Sequence, residues 1–370
     1  MKIRQTKSQW FTPLLPPLIS FAAATLGGAA LLLISGHNVI VAFSALIGGA
    51  FGSLNNLAES LLKSTPLLLC GLAVTVAFRA GIWNIGAEGQ FLAGALLAAA
   101  LAPMLDRLPS LVAVPFLLSA GAIAGAAWGA LPGWMKARRH IQEVISTILL
   151  NFIAIELIRY AVHGPLIEAG GNFPQSAALP ENLRLLRMVA PTRLHLGVLL
   201  AGIMAILTQV FLFRTAAGYQ LRALGANPNA ARFAGMQVER LTIMTMAISG
   251  GIAGLAGAIE LSGVTYRVFD NFSPGYGYTA VAVALMARLN PLSTLVTALF
   301  FGALEAGAGA MQRAANVSAV VVSVMQGLVI LSIATTGALQ VRRAKRKIGA
   351  DIRPATTESE PSSAEVEDEW

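Results

Sequence analysis

The chain has 370 residues, of which 56% are hydrophobic and only 12% are charged, and its formal net charge is +8. A soluble domain could not bury that much apolar surface, so this composition excludes an ordinary soluble protein and predicts a polytopic membrane protein. The basic residues cluster at the ends of apolar runs, and a basic face with interleaved aromatic side chains, which nucleic-acid binding requires, is absent from the sequence.

The apolar runs predict an all-helical fold with about ten transmembrane crossings and both termini in the cytoplasm. A basic cytoplasmic tail, residues 1–13, precedes the membrane domain, residues 14–340. A second tail, residues 341–370, is first basic and then acidic, and it is predicted to be disordered. The short run Val39–Phe51 is interpreted as a re-entrant or interfacial segment. The predicted crossings are, in chain order, Leu14–Ser35, Leu57–Phe78, Phe91–Pro103, Leu111–Leu131, Glu143–Val162, Leu194–Phe213, Leu241–Leu261, Thr279–Ala287, Pro291–Met311 and Val317–Gly337.

Two polar, Gly-rich interruptions, one in each half of the chain, predict broken helices that line a cavity. The first, Ala80–Gln90, precedes an apolar run. The second, Ser273–Arg288, contains an apolar part, Thr279–Ala287, about half as long as the ~20 residues that a span needs, and it is interpreted as a half-helix or a strongly tilted segment. Small residues also recur every four positions in two spans, which is typical of closely packed membrane helices. These residues are Gly121, Gly125 and Gly129 in one span and Gly250 and Gly254 in another.

The polar and basic stretch Arg214–Arg240 lies between two long apolar runs and predicts an ordered cytoplasmic loop. Asn227 is a suitable N-cap, Pro228 suits the first helical position, and Gly235 suits the position past the end, so this stretch predicts a helix of about two turns. Such a helix is not stable alone in water and must be held by its neighbours or by a partner protein. A loop of this kind is suited to the docking of a soluble motor protein.

Four segments of the chain, taken in order, resemble a known family. They are FRAGIWNIGAEGQFLAGAL (Phe78–Leu96), HIQEVISTILLNFIA (His140–Ala154), GYQLRALGANPNAARFAGM (Gly218–Met236) and GYGYTAVAVALMARLNPL (Gly275–Leu292). The chain resembles the permease subunits of bacterial ABC importers for nucleosides and simple sugars, the branch that works with basic-membrane-lipoprotein binding proteins. The resemblance covers nearly the whole chain apart from the N-terminal tail and the acidic C-terminal tail, and its motifs are specific for the family but not for the solute.

The resemblance implies a division of labour among several subunits. A separate ATP-binding subunit would hold the segment Gly218–Met236 and bind ATP and Mg, because this chain contains no G-x-x-x-x-G-K-[ST] motif. A second permease, either a paralogue or a copy of this chain, and an extracytoplasmic substrate-binding lipoprotein complete the assembly in the bacterial inner membrane. The residues assigned to coupling with the ATPase are Gly218, Arg222, Gly225, Asn227, Pro228, Ala231, Arg232 and Gly235.

Polar and aromatic residues of the two broken segments are candidate contacts of the solute path, because amides, carboxylates and aromatic rings match sugar hydroxyls and base edges. For Glu88 the alternatives are an ion pair with Arg79 or the capping of a helix, and for the tyrosines the alternative is an interfacial aromatic belt. Glu305 is included because intramembrane carboxylates are costly, whereas Glu260 is expected to be solvated near the outer surface. The assigned path residues are Asn84, Glu88, Gln90, Tyr276, Tyr278 and Glu305.

The predicted function is therefore the translocation path for nucleosides or a related small polar solute, driven by ATP hydrolysis in a separate subunit. A simple-sugar permease is one alternative, and an ion-coupled secondary transporter, which the acids Glu260 and Glu305 would allow, is another. The sequence shows no catalytic constellation and no metal-ligand spacing, so we expect neither an enzyme nor a metal site, and no cofactor bound by this chain itself. The identity of the solute and the choice between a homodimer and a heterodimer of permeases stay open.

Overall fold

The computed structural model describes residues 26–171, 173–318, 321, 324, 327–328 and 331–332. The chain divides into two units, Gly28–Gln326 and a second unit that combines Met1–Gly27 with Gly327–Trp370. Nearly all described residues belong to the first unit, to which the following description is confined. The predicted tails, residues 1–13 and 341–370, and most of the first and last predicted crossings lie outside the described residues.

The described part of this unit is helical; it contains no β-strand, only isolated β-bridges within loops. Seven of the described helices are long and apolar enough to cross a membrane: α2 to α6, α9 with its extension, and α11. The helices are α1 (Val39–Phe51), α2 (Leu54–Arg79), α3 (Ala87–Leu105), α4 (Ser110–Arg139), α5 (Glu143–His163), α6 (Gly197–Arg214), α7 (Ala216–Ala226), α8 (Pro228–Phe233), α9 (Val238–Glu260, continued as a π-helical turn Leu261–Thr265), α10 (Tyr276–Met286) and α11 (Pro291–Ala315).

The all-helical membrane fold is confirmed, whereas the count of ten crossings is not established. Each of the seven long helices coincides with a predicted crossing. The predicted segment Thr279–Ala287 corresponds to α10, which has 11 residues and is therefore about 16 Å long, the length of a half-helix. The short run Val39–Phe51 forms α1 with the predicted bounds. Of the other three predicted crossings, the first and the last lie mostly outside the described residues, and α10 alone does not reach across a hydrocarbon core of about 30 Å.

Local side-chain caps fix where several helices begin. The side chain of Asn38 accepts hydrogen bonds from two backbone N–H groups at the start of α1, and Ser53 accepts one at the start of α2. Asn290 does the same for α11, whose first turn contains Pro291. These oxygens satisfy N–H groups that have no partner within the helix, so a short polar residue marks each boundary in the sequence.

The predicted glycine faces of α4 and α9 pack against each other. A Cβ atom built on Gly125 would lie 2.2 Å from the carbonyl oxygen of Gly250, and one on Gly254 would lie 2.3 Å from the carbonyl oxygen of Gly121. Helix α3 joins this contact, since a Cβ on Gly94 would lie 2.2 Å from the carbonyl oxygen of Gly254. The three backbones are thus in direct contact, as small-residue membrane interfaces allow, and this contact fixes the position of α3 and of the residues at its start.

The two ends of the helix bundle differ in charge. One end, called the basic end below, gathers Arg79, Arg139, Arg214 and Arg288 at the ends of α2, α4, α6 and α10. The long connection between α5 and α6 lies at the opposite end. The Asn182 amide there donates to three carbonyls at the turn between α3 and α4, and isolated bridges pair the connection with itself and with the loop after α9. This connection therefore ties together the non-basic ends of several spans.

Candidate functional site

Helix α3 and the half-helix α10 begin at the same point inside the bundle, beside Glu88; this point is called the half-helix junction below. The Oε2 atom of this buried carboxylate accepts a hydrogen bond of 2.6 Å from the backbone N–H of Gly277, at the start of α10. A Cβ on Gly277 would lie 2.1 Å from the backbone nitrogen of Glu88, so the two helix starts touch backbone to backbone. The broken segments that the sequence places in separate halves of the chain are therefore neighbours in space.

Of the two alternatives left open for Glu88, helix capping is the one observed, and the capped helix is α10. A carboxylate suits this position because a helix N-terminus carries a partial positive charge and unpaired N–H groups. The alternative ion pair with Arg79 is not formed. Arg79 instead donates through Nε and Nη2 to the backbone carbonyls of Leu289 and Arg288, at the basic end.

The polar side chains of the first break bind one another. The Nδ2 atom of Asn84 donates to Oε1 of Gln90 at 2.9 Å and to Oγ of Ser249 at 2.8 Å, and its Oδ1 atom accepts from the backbone N–H of Gly86. These side chains are buried. The predicted path residues Asn84 and Gln90 are thus brought together, and their hydrogen-bonding groups are engaged within the protein.

Asn151 on α5 completes this network, although the sequence reasoning did not single it out. Its Oδ1 atom accepts from the N–H of Gly89 at 2.8 Å, and its Nδ2 atom donates to the carbonyl of Ile85 at 2.9 Å. It therefore substitutes for the missing helical partners on both sides of the break. The available signal was a single amide within an otherwise apolar span, since such a group must find a partner there.

The two predicted aromatic residues occupy different environments. Tyr276 is buried, with its hydroxyl 3.3 Å from Nζ of Lys63 and its ring 5.9 Å from that of Phe91. Tyr278 keeps 42% of its surface exposed and lines a cavity of about 130 Å³ together with Glu88. Only Tyr278 therefore presents its ring to open space.

The two acidic residues in membrane helices, Glu260 and Glu305, also occupy different environments. Glu260 is buried at the end of α9 rather than solvated, and Lys63 and Arg193 act on it electrostatically. Its burial follows from the ordered connection between α5 and α6, which covers this end of α9. Glu305 on α11 is half-buried and interacts electrostatically with Tyr276. Glu305 thus lies on the Tyr276 side of the half-helix junction.

Two titratable groups in the connection at the non-basic end have shifted pKa values. The hydrogen bond from Arg267, together with a weaker one from Gln175, lowers the pKa of Glu168 below its ordinary value. Burial lowers the pKa of His195 to about 4. The Nδ1 atom of His195 accepts from the backbone N–H of Gly197 at the start of α6, so the neutral ring acts as a cap. Both groups favour the ordered form of this connection near neutral pH.

The predicted two-turn helix in the basic loop is confirmed as α8. Asn227 caps it by accepting from the N–H groups of Asn229 and Ala230, Pro228 occupies the first turn, and Gly235 follows the end with a φ of +80°. The side chains of the loop do not all point the same way: Ala231 is buried against the protein, whereas Arg232 is exposed and Phe233 is 95% exposed. The sequence reasoning missed Phe233; its signal was the one large apolar side chain in the stretch Asn227–Gly235.

Helix α7 connects this loop to the half-helix junction. A Cβ on Gly225 would lie 2.2 Å from the carbonyl oxygen of Arg79, so α7 packs directly on the turn that leads into the first break. The guanidinium groups of Arg79 and Arg222 lie 5.5 and 5.1 Å from the centre of the Phe213 ring, and Arg222 also donates to the carbonyl of Leu212. Since Arg79 also binds the carbonyls of Arg288 and Leu289, the turn on which α7 packs is linked to the segment that leads into α3 and to the segment that follows α10.

The remaining predicted coupling residue, Gly218, is buried at the start of α7, where a Cβ would lie 2.0 Å from the carbonyl oxygen of Phe211. It therefore sets the tight turn from α6 into α7. Within the described ranges no group of three or more His, Cys, Asp or Glu side chains is placed to hold a metal ion.

Comparison with known proteins identifies related sequences. Residues 56–334 match the family described as "Branched-chain amino acid transport system / permease component". The chain is 35% identical to the guanosine ABC transporter permease protein NupP of Bacillus subtilis, over 90% of this chain and 97% of that protein. It is 34% identical to the glucose ABC transporter permease protein TsgB13 of Haloferax volcanii, over 90% of both chains. It is 30% identical to the nucleoside ABC transporter permease protein NupB of Lactococcus lactis, over 90% of this chain and 94% of that protein. No solved structure matches the chain.

Proposed function

Since the chain belongs to the family of branched-chain amino acid transport system permease components, we propose that it forms the translocation path of an ABC importer for nucleosides. It is a transport component rather than an enzyme. The observation that carries the nucleoside assignment is the similarity, over 90% of the chain, to one permease named for guanosine and another named for nucleosides. A simple sugar is the second candidate, because a glucose permease is similar to almost the same degree.

The proposed setting is the bacterial cytoplasmic membrane, with the basic end and both termini in the cytoplasm. The arginines at the ends of α2, α4, α6 and α10 support this orientation through the positive-inside rule. The partners are an ATP-binding subunit at the basic end, which holds the ATP and Mg, a second permease beside this chain, and a solute-binding lipoprotein at the opposite end. The mechanism then needs no cofactor bound by this chain.

The ATP-binding subunit grips α7 and α8 in this proposal, and closure of the ATPase pair moves them. The contact of Gly225 with the turn at Arg79 and the stacking of Arg79 and Arg222 on Phe213 support a direct route from this loop to the segments before α3 and after α10. A shift of α7 would therefore reach the Glu88 junction without first tilting a whole span. The coupling set comprises Gly218, Arg222, Gly225, Asn227, Pro228, Ala231, Arg232 and Gly235, to which we add Phe233.

The solute passes beside the half-helix junction, as in other transporters with discontinuous helices. Within the proposed path, Asn84 and Gln90 hold the shape of the first break, and Glu88 positions the start of α10. Tyr278 offers an exposed ring to the solute, and Tyr276 and Glu305 lie on the other side of the junction. If the Glu88–Gly277 contact opened, the Tyr278 side and the Tyr276 side of the junction would be connected. The junction is therefore placed where a gate of the solute path would lie.

Uptake by the reconstituted complex tests the function. The chain is placed in proteoliposomes with its ATP-binding subunit, second permease and lipoprotein, and the uptake of labelled guanosine and of labelled glucose is measured with and without ATP. We expect ATP-dependent uptake of guanosine that an uncoupler leaves intact. Uptake of glucose but not of guanosine would identify a simple sugar, rather than a nucleoside, as the solute. Uptake that survives ATP removal but collapses with an uncoupler would instead establish the ion-coupled transporter.

Docking of the ATPase is tested separately at Phe233. Its ring is almost fully exposed, and aromatic side chains of this kind commonly anchor interfaces, so the change Phe233→Asp should weaken ATPase binding by at least about 30-fold. Phe173→Asp is the matched control, because Phe173 is an exposed phenylalanine in the connection at the non-basic end. Equal ATPase pull-down with both variants would refute the docking assignment. Ala231 is less suitable for this test, since it is buried and a bulky replacement would disrupt α8 itself.

A further inference from the structure

A small cavity beside the half-helix junction has polar groups on several sides. It measures about 130 Å³ and lies between α3, α5 and the loop before α10. Glu88 and Tyr278 form its wall at the junction, Arg159 and Asp270 lie at its charged side, and Leu92 and the isoleucines of α5 supply apolar surface. An apolar wall with a few converging polar groups is the usual composition of a small-molecule site.

One polar atom of this cavity, unlike those of the first break, lacks a hydrogen-bond partner. The Oδ1 atom of Asp270 is buried and has no hydrogen-bond partner among the described residues, and its Oδ2 atom is 3.6 Å from Nε2 of His163. By contrast, Asn84 and Gln90 bind each other and the backbone. Because a buried polar atom without a partner is costly, the Asp270 carboxylate, which lines the cavity, gains from any hydrogen bond that a ligand donates to it.

The charged pair on the same face of α5 indicates that the cavity opens to water or to another subunit. Glu156 and Arg159 form a two-oxygen ion pair at 2.8 and 3.0 Å, and their side chains are 63% and 54% exposed. Glu156 is about 10 Å from the end of its helix, too deep for an easy contact with lipid headgroups. This face of α5 is therefore unsuited to hydrocarbon and suited to the aqueous path.

We propose that this cavity binds the hydroxylated ring of the transported solute, the ribose of a nucleoside or the ring of a hexose. Arg159 donates to one ring hydroxyl, Asp270 accepts from its neighbour, and the ring of Tyr278 lies against the apolar face of the sugar. The volume, about that of four waters, admits one such ring and not a whole nucleoside, so the base stays outside the cavity. This assignment rests on the proposed function and adds the residues that select the solute.

Paired substitutions in the reconstituted complex test the site. The variants are Asp270→Asn and Arg159→Gln, and the matched controls are Asp106→Asn and Arg187→Gln, which alter an exposed carboxylate and an exposed cation at the non-basic end outside the cavity. The probes are guanosine, 2′,3′-dideoxyguanosine and glucose. We expect each cavity variant to raise the half-saturating concentration for guanosine about tenfold, the loss of one charge-assisted hydrogen bond, while uptake of the dideoxy analogue changes little. The controls should transport like the wild type.

Two variants of Tyr278 test the same site if a charge variant fails to assemble into the complex. Tyr278→Leu removes the ring and should raise the half-saturating concentration about tenfold, whereas Tyr278→Phe, which retains the ring, should raise it less. Wild-type selectivity in all cavity variants would overturn the assignment of this site while leaving the transport function intact. Failure of the wild-type complex to take up either guanosine or glucose would overturn the proposed function itself. If the cavity variants changed the half-saturating concentration for glucose but not for guanosine, the ligand of the cavity would be the hexose ring.

Discussion

Substitution of Gly225 by alanine gives the sharpest test of how the basic loop acts on the half-helix junction. Gly225 lies in the last turn of α7, at its contact with the turn after α2. Alanine has the better helix propensity by about 1 kcal/mol, so within an isolated helix this change would be stabilising. Any loss of activity in Gly225→Ala must therefore come from the contact with the neighbouring turn.

The size of that effect follows from the geometry. The added methyl would lie 2.2 Å from the carbonyl oxygen of Arg79 and 2.9 Å from the carbonyl carbon of Ala80, where an ordinary contact begins at 3.4 Å. Since both partners are backbone atoms, no side-chain rotation relieves the clash, and α7 must move away by about 1.2 Å. Overpacking of this kind costs about 1–3 kcal/mol. After the gain in helix propensity, up to about 2 kcal/mol remains, equivalent to a change of up to about 30-fold in an equilibrium.

The assay compares uptake with ATP hydrolysis in the reconstituted complex. Gly225→Ala should reduce solute uptake by up to about 30-fold, retain binding of the ATP-binding subunit, and therefore hydrolyse more ATP for each solute carried. Gly202→Ala in α6 is the matched control, because a Cβ there meets nothing within 4 Å. A Gly225→Ala complex with the wild-type rate and the wild-type ratio of ATP to solute would refute the proposed route through the Arg79 turn.

Three further outcomes follow from the same contacts. Gly125→Ala places a methyl 2.2 Å from the carbonyl oxygen of Gly250, so it should lower the melting temperature and the free energy of unfolding, the latter by about 1–3 kcal/mol. The control Gly202→Ala should not lower the melting temperature. Equal melting temperatures for the two variants would contradict the backbone contact of α4 and α9. Burial lowers the pKa of His195 from 6.5 to about 4, so the unfolded chain binds this proton first; stability should fall by up to about 1.4 kcal/mol per pH unit as the pH drops from 6.5 to 4. Thermal unfolding at a series of pH values checks this, and His195→Asn, which keeps an acceptor for Gly197, should remove that part of the slope. Glu88→Ala leaves the N–H of Gly277 without its acceptor and should reduce uptake but not ATPase binding, with Glu88→Gln closer to the wild type; the reverse order would show that α10 does not depend on this cap.

The helices and the basic loop were largely predictable because their signals are local. The run Val39–Phe51 and the helix starting at Pro228 appear with the predicted starts, since an Asn side chain caps each of them within three residues. The length of Thr279–Ala287 correctly indicated a half-helix. The glycine spacing in α4 and α9 correctly indicated close packing, although the pattern did not reveal that the two faces are each other's partners.

The candidate site was less accessible from sequence, because its residues acquire their roles from distant neighbours. Asn84, Glu88 and Gln90 were selected as groups that offer hydrogen bonds to a solute, yet each one binds the protein itself. Asn151, Arg159 and Asp270 received no role in the path because nothing close to them in the chain marks one. Glu260 was placed near solvent from its position at the end of a span, whereas the connection between α5 and α6 covers it.

The sequence by itself determined the class of protein, the positions of the apolar helices, the basic end and the short capped helix in the basic loop. These features depend on hydrophobic length, net charge and capping, which act between residues only a few positions apart. Only the tertiary structure decided that Glu88 meets Gly277, 189 residues further along the chain, and that Gly225 contacts the turn at Arg79. The physical reason is that these contacts are set by how close-packed helices cross in space, which no local pattern of residues encodes.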